Sequence, residues 1–186
     1  MTLDGSAPGL WTEDQYLALT NQTNHLIEFT DGALERLPMP TSRHQVILLS
    51  LYDLFRAVVN PGGGKILVAP LRLRVRPGKF REPDILLLLD AADPRYGDAY
   101  WLGADLVVEV VSPDRPARDT DEKPYDYAEA RIPEYWIVNP LDATISVLVL
   151  DGPAYRVHGR FQRGARATSR LLPEFSVSVD AVFDAR

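Results

Sequence analysis

The chain has 186 residues, 46% apolar and 25% charged, with a net charge of −6, which fits a single globular domain with a substantial core. It has no cysteine, which excludes disulfides, thiolate zinc sites and cysteine nucleophiles, so any metal must be held by oxygen or imidazole. No apolar run reaches the roughly 18 residues of a membrane helix, and Met1-Thr2-Leu3-Asp4 lacks the basic-then-apolar start of a signal segment, so a soluble cytoplasmic protein with no membrane partner is expected.

Thr12-Glu13-Asp14-Gln15 is a capping-box pattern and predicts a short helix from about Glu13 to Leu19. Two apolar-alternating runs, Leu26 to Thr30 and Ala33 to Leu37, flank Asp31-Gly32 and predict a β-hairpin with a type I′ turn. Thr41 or Ser42 can cap the longest helix, about Arg43 to Val59, whose apolar positions Val46, Leu49, Leu51, Leu54, Phe55 and Val58 roughly follow helical spacing. The Gly62-Gly63-Gly64 run ends it; with no Lys-Ser/Thr after it, it is no phosphate-binding loop. Strands are then predicted over Lys65 to Ala69, Leu71 to Val75 and Ile85 to Leu89, followed by an exposed polar loop from Asp90 to Gly103. Leu106 to Val111 is the most apolar strand and is expected to be central. A helix from about Asp121 to Arg131 follows, then strands Tyr135 to Val138 and Ile145 to Leu150, further short strands, and a helical turn near Asp180 to Phe183. This order predicts an α+β fold, with a mixed central sheet flanked by helices and an N-terminal β-hairpin.

Charge distribution says more than the sum. Arg72, Arg74 and Arg76 alternate with apolar residues, so a strand there puts three guanidinium groups on one face, with Lys79 and Arg81 close behind. That face suits phosphate contact; the alternative is an ordinary solvated sheet face.

The most informative feature is a pair of carboxylates on two buried-looking strands. Asp84 opens Ile85-Leu86-Leu87-Leu88-Leu89, and Glu109 lies inside Leu106-Val107-Val108-Glu109-Val110-Val111. An ionised carboxylate in such a run must be paired, hydrogen-bonded or bound to a cation. If the strands are neighbours, the two acids can converge on a hard divalent ion such as Mg²⁺, with Mn²⁺ as substitute. Lys123 opens the following helix and His44 the longest one. A metal-acidified water oriented by a lysine is a nucleophile suited to a phosphodiester. Glu28, alternating with Ile27 and Phe29, is a candidate supporting carboxylate or ligand to a second metal. A buried ion pair to an arginine is the structural alternative for Glu109, and a solvated charge cluster that for Lys123. Tyr127, four residues beyond Lys123 on the same helix face, can position the lysine or simply pack, and packing is expected.

Glu82-Pro83-Asp84, the Leu106 to Pro113 run, Arg118-Asp119 with Lys123, and Ile132-Pro133-Glu134-Tyr135-Trp136-Ile137-Val138 resemble the Uma2-type (DUF820) endonuclease family of the PD-(D/E)XK superfamily. Ile27 to Gly32 and Ser42-Arg43-His44 extend the resemblance, which covers about residues 11 to 183. It implies a restriction-endonuclease-like core in a single domain over 1–186, with Asp84, Glu109 and the Val110 carbonyl as metal ligands and His44 pointing into the site. The superfamily signature has a lysine two residues after the second acid, where this chain has Val111; Lys123 on the next helix is the implied replacement. A second departure is Asn139, where relatives often carry aspartate. The implied activity is Mg²⁺-dependent hydrolysis of phosphodiesters in nucleic acid, most simply DNA, with a homodimer as the working unit. Two other readings stay open: a nuclease-fold binding or assembly module with weak or no turnover, which Val111 and the negative charge favour, and a sugar- or nucleotide-binding protein that uses the acids as hydrogen-bond acceptors.

Overall fold

The computed structural model describes residues 10–186; the first nine positions of the expected 1–186 domain lie outside them. Helix α1 (Glu13–Thr20) starts at a complete capping box: Thr12 accepts from the Gln15 amide, and the Gln15 side chain accepts from the Thr12 amide at 2.9 Å. Strands β1 (Ile27–Thr30) and β2 (Ala33–Arg36) form the predicted hairpin, with Thr30 opposite Ala33. Asp31 and Gly32 take φ values of 47° and 90°, the two positive angles that a type I′ turn requires.

Helix α2 (Ser42–Val59) is capped by Thr41, whose hydroxyl accepts from the His44 amide at 3.2 Å. Its buried face is Ile47, Leu48, Leu51, Phe55 and Val59, so the predicted face is corrected. Leu49, Leu54 and Val58 are turned outward. The helix has a polar side but carries more apolar residues than its buried face can hold, so spacing alone does not say which of them turn inward. After α2 the chain passes so close to the neighbouring strand that a Cβ at Gly64 would lie 2.5 Å from the Leu88 carbonyl oxygen, which is why glycine stands there.

The remaining elements are β3 (Lys65–Val68), β4 (Leu73–Arg76), β5 (Lys79–Arg81), β6 (Ile85–Leu88), β7 (Leu106–Val110), a π-helical turn over Arg118–Glu122, α3 (Lys123–Glu129), β8 (Glu134–Asn139), β9 (Thr144–Asp151), β10 (Ala154–Phe161), β11 (Arg166–Thr168), β12 (Ser176–Ser178) and α4 (Val179–Phe183). The central sheet has six strands in the order β10-β9-β8-β7-β6-β3. Only its β7–β8 pair is parallel, so it is mixed, with β7 inside it. A smaller sheet runs β2-β1-β5-β4; β4 therefore lies outside the central sheet, and β5, not foreseen as a strand, joins it to the hairpin. The segment expected to be an exposed loop is pinned by Trp101, which is fully buried and bridges Leu73.

Alternation along each strand sorts the core into layers. Ile85, Leu87, Leu106, Val108 and Val110 pack under α2 and α4, while Leu86, Leu88, Val107 and Val111 pack with Tyr127 of α3, Tyr135, Leu73 and Trp101. A third cluster of Tyr16, Ile27, Phe29 and Phe80 joins α1 to the small sheet. Among the described residues no helix is long and apolar enough to cross a membrane.

Candidate active site

Antiparallel β6 and β7 are in register with Ile85 opposite Val108, which sets Asp84 opposite Glu109. Opposed residues of antiparallel strands share a face, so both carboxylates emerge on the α3 side, beyond the row of Leu86 and Val107. Both line a cavity of about 300 Å³ that also receives His44, Glu82, Val110, Asp119 and Lys123. Its outer wall is the segment after β2, Leu37 to Pro40.

Each acid is held by one oxygen. Asp84 Oδ2 accepts from the Val110 amide at 2.7 Å and lies 3.1 Å from His44 Nε2. Glu109 Oε1 meets Lys123 Nζ at 2.7 Å and accepts from the Tyr127 hydroxyl. The second oxygens, Asp84 Oδ1 and Glu109 Oε2, take no hydrogen bond from any described residue. A strand residue directs its N–H and C=O to the same neighbour, so the Val110 carbonyl also faces the Asp84 side.

Lys123 is brought to Glu109 by the π-helical turn, which carries the chain from β7 into α3 and is followed by Pro124 in the first helical turn, where its missing N–H costs nothing. Its ammonium also meets Asp119 Oδ1 at 3.0 Å.

Burial pushes the Glu109 carboxyl above its ordinary range, although the Lys123 ammonium pulls the other way; the Asp84 and Asp119 charges add to the rise. Burial works against the Lys123 ammonium, but Glu109, Asp119 and Glu28 outweigh it and hold the group above its usual range. His44 is likewise raised, because the Asp84 carboxylate and the Val110 backbone overcome the cost of burial. Its Nδ1 is buried with no hydrogen-bond partner. Glu82, beside the cavity, is pushed up to about 8 by burial and by the nearby Glu28 charge.

Of the residues singled out in the sequence, Asp84, Glu109, Val110, Lys123 and His44 come together. Glu28 does not line the cavity. It is buried, with Oε2 against Arg118 and 3.3 Å from Arg81, while Oε1 accepts from the Glu82 amide at 3.2 Å. Both oxygens are engaged, so Glu28 anchors Arg118 and the π-helical turn beneath the site. Asp119 is the site residue that sequence reasoning missed. Among Arg118, Asp121 and Glu122 it reads as part of a solvated charge cluster, yet it is 5% exposed. The arginine stripe is also corrected: Arg74 pairs with Glu13 at 2.9 Å, Arg76 with Asp31 at 2.7 Å and Glu129 at 3.0 Å, and Lys79 and Arg81 both with Asp126. These cations bind the small sheet to α1 and α3.

Among the described residues no group of three or more His, Asp or Glu side chains is arranged to hold a metal ion. Two carboxylate oxygens and a backbone carbonyl are nevertheless the donor set that suits Mg²⁺, which binds through one or two carboxylates and keeps several waters. The residues fit such an ion.

A mixed sheet flanked by helices, with two acids from adjacent strands and a lysine from the next helix, defines a restriction-endonuclease-like architecture. A protein of Anabaena variabilis ATCC 29413 described as a putative nuclease belonging to DUF820 has the same fold, with a TM-score of 0.78 at 20% identity, covering 94% of this chain and 98% of that one. The chain belongs to the Uma2 family, described as "Putative restriction endonuclease", whose family model matches residues 13–180. No curated protein matches the sequence significantly.

Proposed function

We propose that the chain is a divalent-metal-dependent endonuclease that hydrolyses phosphodiester bonds in DNA. The observation that carries this reading is the pair of open oxygens, Asp84 Oδ1 and Glu109 Oε2, on carboxylates whose other oxygens are tied down in one cavity. Hydrolysis joins a water oxygen to phosphorus, breaks the P–O bond of the leaving alkoxide and returns a proton to it. Asp84, Glu109 and the Val110 carbonyl would hold the cation, which when bound supplies charge compensation and a more acidic water. Lys123, which lines the cavity, would donate to a phosphate oxygen or the attacking water, and its ammonium would offset charge gathered in the transition state. Asp119 holds that ammonium in place, Tyr127 fixes the glutamate, and His44 fixes the aspartate.

The test is cleavage of labelled DNA with and without Mg²⁺ or Mn²⁺, by wild type, Asp84→Asn and Glu109→Gln. Cleavage that needs the ion and is lost in both variants supports the reading; cutting by both variants at the wild-type rate refutes it. A homodimer belongs to the same proposal. Light scattering on the eluting protein reads its mass and tests this part of the proposal. The binding-module alternative rests on the same geometry and on Val111 at the signature lysine position; metal binding without cleavage would favour it.

A further inference from the structure

We propose that the site takes an unpaired DNA strand, one nucleotide of which enters the cavity, in preference to an intact duplex; this rests on the nuclease reading and names its substrate class. The first support is shape. A cavity of about 300 Å³ lies at the small end of the roughly 300–1,000 Å³ pockets that enclose single small ligands, and has room for one nucleotide, not for a double helix. The acids line it with little exposure: the side chain of Glu109 is 3% exposed and that of Asp84 15%. A duplex carries its phosphates on the outside of a wide rod. A phosphate reaches carboxylates so little exposed most readily when its nucleotide leaves the stack, which costs a few kcal/mol in paired DNA and least in a strand already single.

The second support is charge. Proteins that grip duplex DNA neutralise many phosphates, on the order of six to ten. Here the cations nearest the site face inward: Arg118 is buried against Glu28, Lys123 against Glu109, and Lys79 and Arg81 against Asp126. Two cavity-lining guanidinium groups remain exposed, on Arg36 and Arg115, the latter shared with Glu35. The same cavity is lined by Met39, 72% exposed and flanked by Pro38 and Pro40. A polarizable apolar shelf next to two guanidinium groups is suited to a base lying flat and its flanking phosphates. It makes no use of base pairing.

The experiment is fluorescence polarisation with the full chain in Ca²⁺, using a labelled single-stranded DNA oligonucleotide and a blunt duplex of the same sequence across a salt series, followed by turnover of both in Mg²⁺. The single strand should bind at least about ten-fold more tightly, with a log–log salt slope near −1.4, about −0.7 for each of two phosphate contacts. Met39→Ala and Arg115→Ala, both at exposed positions, should each weaken single-strand binding about five-fold and leave the melting temperature unchanged. Equal or tighter duplex binding, a steep slope, binding of neither DNA, or no response to either substitution would overturn the proposal. Turnover separates the two readings. Single-strand-selective binding with no cleavage refutes the nuclease reading alone, and cleavage that favours the duplex refutes the strand preference alone.

Discussion

Glu109 and Glu134 are buried glutamates on the neighbouring parallel strands β7 and β8, and their surroundings could hardly differ more. Glu134 is saturated: Oε1 accepts from Trp136 Nε1 at 2.7 Å and Ser169 Oγ at 2.6 Å, and Oε2 from the Arg170 and Leu171 amides at 2.7 and 2.8 Å. It fastens the segment before β12 to the sheet. Glu109 has one oxygen engaged and the other open towards a cavity it shares with a second acid. Burial is common to both and so marks neither as functional. What separates them is unfilled acceptor capacity aimed at a space that a ligand can enter.

Substitution can sharpen that contrast. The largest effect expected is in activity: Asp84→Asn or Glu109→Gln should lower cleavage by on the order of 10³-fold while each protein still melts cooperatively, because neither change leaves a neighbouring donor without an acceptor. Glu134→Ala should do the reverse. It strands four donors at once and should cost about 3–5 kcal/mol of stability, read as a lower denaturant midpoint, with cleavage per folded molecule unchanged. If Glu134→Ala abolished cleavage without loosening the fold, the division between the two glutamates would be wrong.

Lys123→Met should hit both properties, since it removes the ammonium and leaves Glu109 buried without its ion pair. Adding Glu109→Gln to it should restore stability but not cleavage, and a double-mutant cycle measures the coupling. Asp119→Asn should act through Lys123 alone, lowering cleavage by about 10–100-fold and shifting the pH profile of the rate.

The smallest effect concerns pH. The Glu82 carboxyl is raised from its ordinary value to about 8 in the fold. The native state therefore keeps a proton that the unfolded chain gives up, and the contribution of Glu82 to stability falls as pH rises from the usual carboxylate range towards 8. Glu82→Gln keeps an acceptor for the Ile27 amide and should flatten that fall in a series of urea melts. An unchanged slope would show that Glu82 is ionised throughout.

Much of this was readable before any coordinates. The Asp31-Gly32 turn, the Thr12 and Thr41 caps and the apolar runs of β6 and β7 are local signals, and they placed Asp84 and Glu109 on two buried strands; that these strands are neighbours comes from their long-range pairing. The inward face of α2 was not fully readable, because its apolar residues spill past the buried stripe onto the exposed flanks, and only the sheet it meets decides which are covered. The assignment of β4 and β5 to a second sheet depends on long-range pairing with β1 that no local pattern encodes. Glu28 shows the same limit, since only a tertiary contact places it under Arg118. Asp119 differs: it lies four residues before Lys123 and pairs with it locally, and what the pattern did not reveal is that this pair is buried.

The most direct test of the central claim is anomalous diffraction from a crystal soaked in Mn²⁺. The account predicts one peak joined to both Asp84 Oδ1 and Glu109 Oε2, at distances near the roughly 2.0–2.1 Å of a Mg²⁺ site. A peak elsewhere, or none while Glu109 stays closed on Lys123, would contradict it.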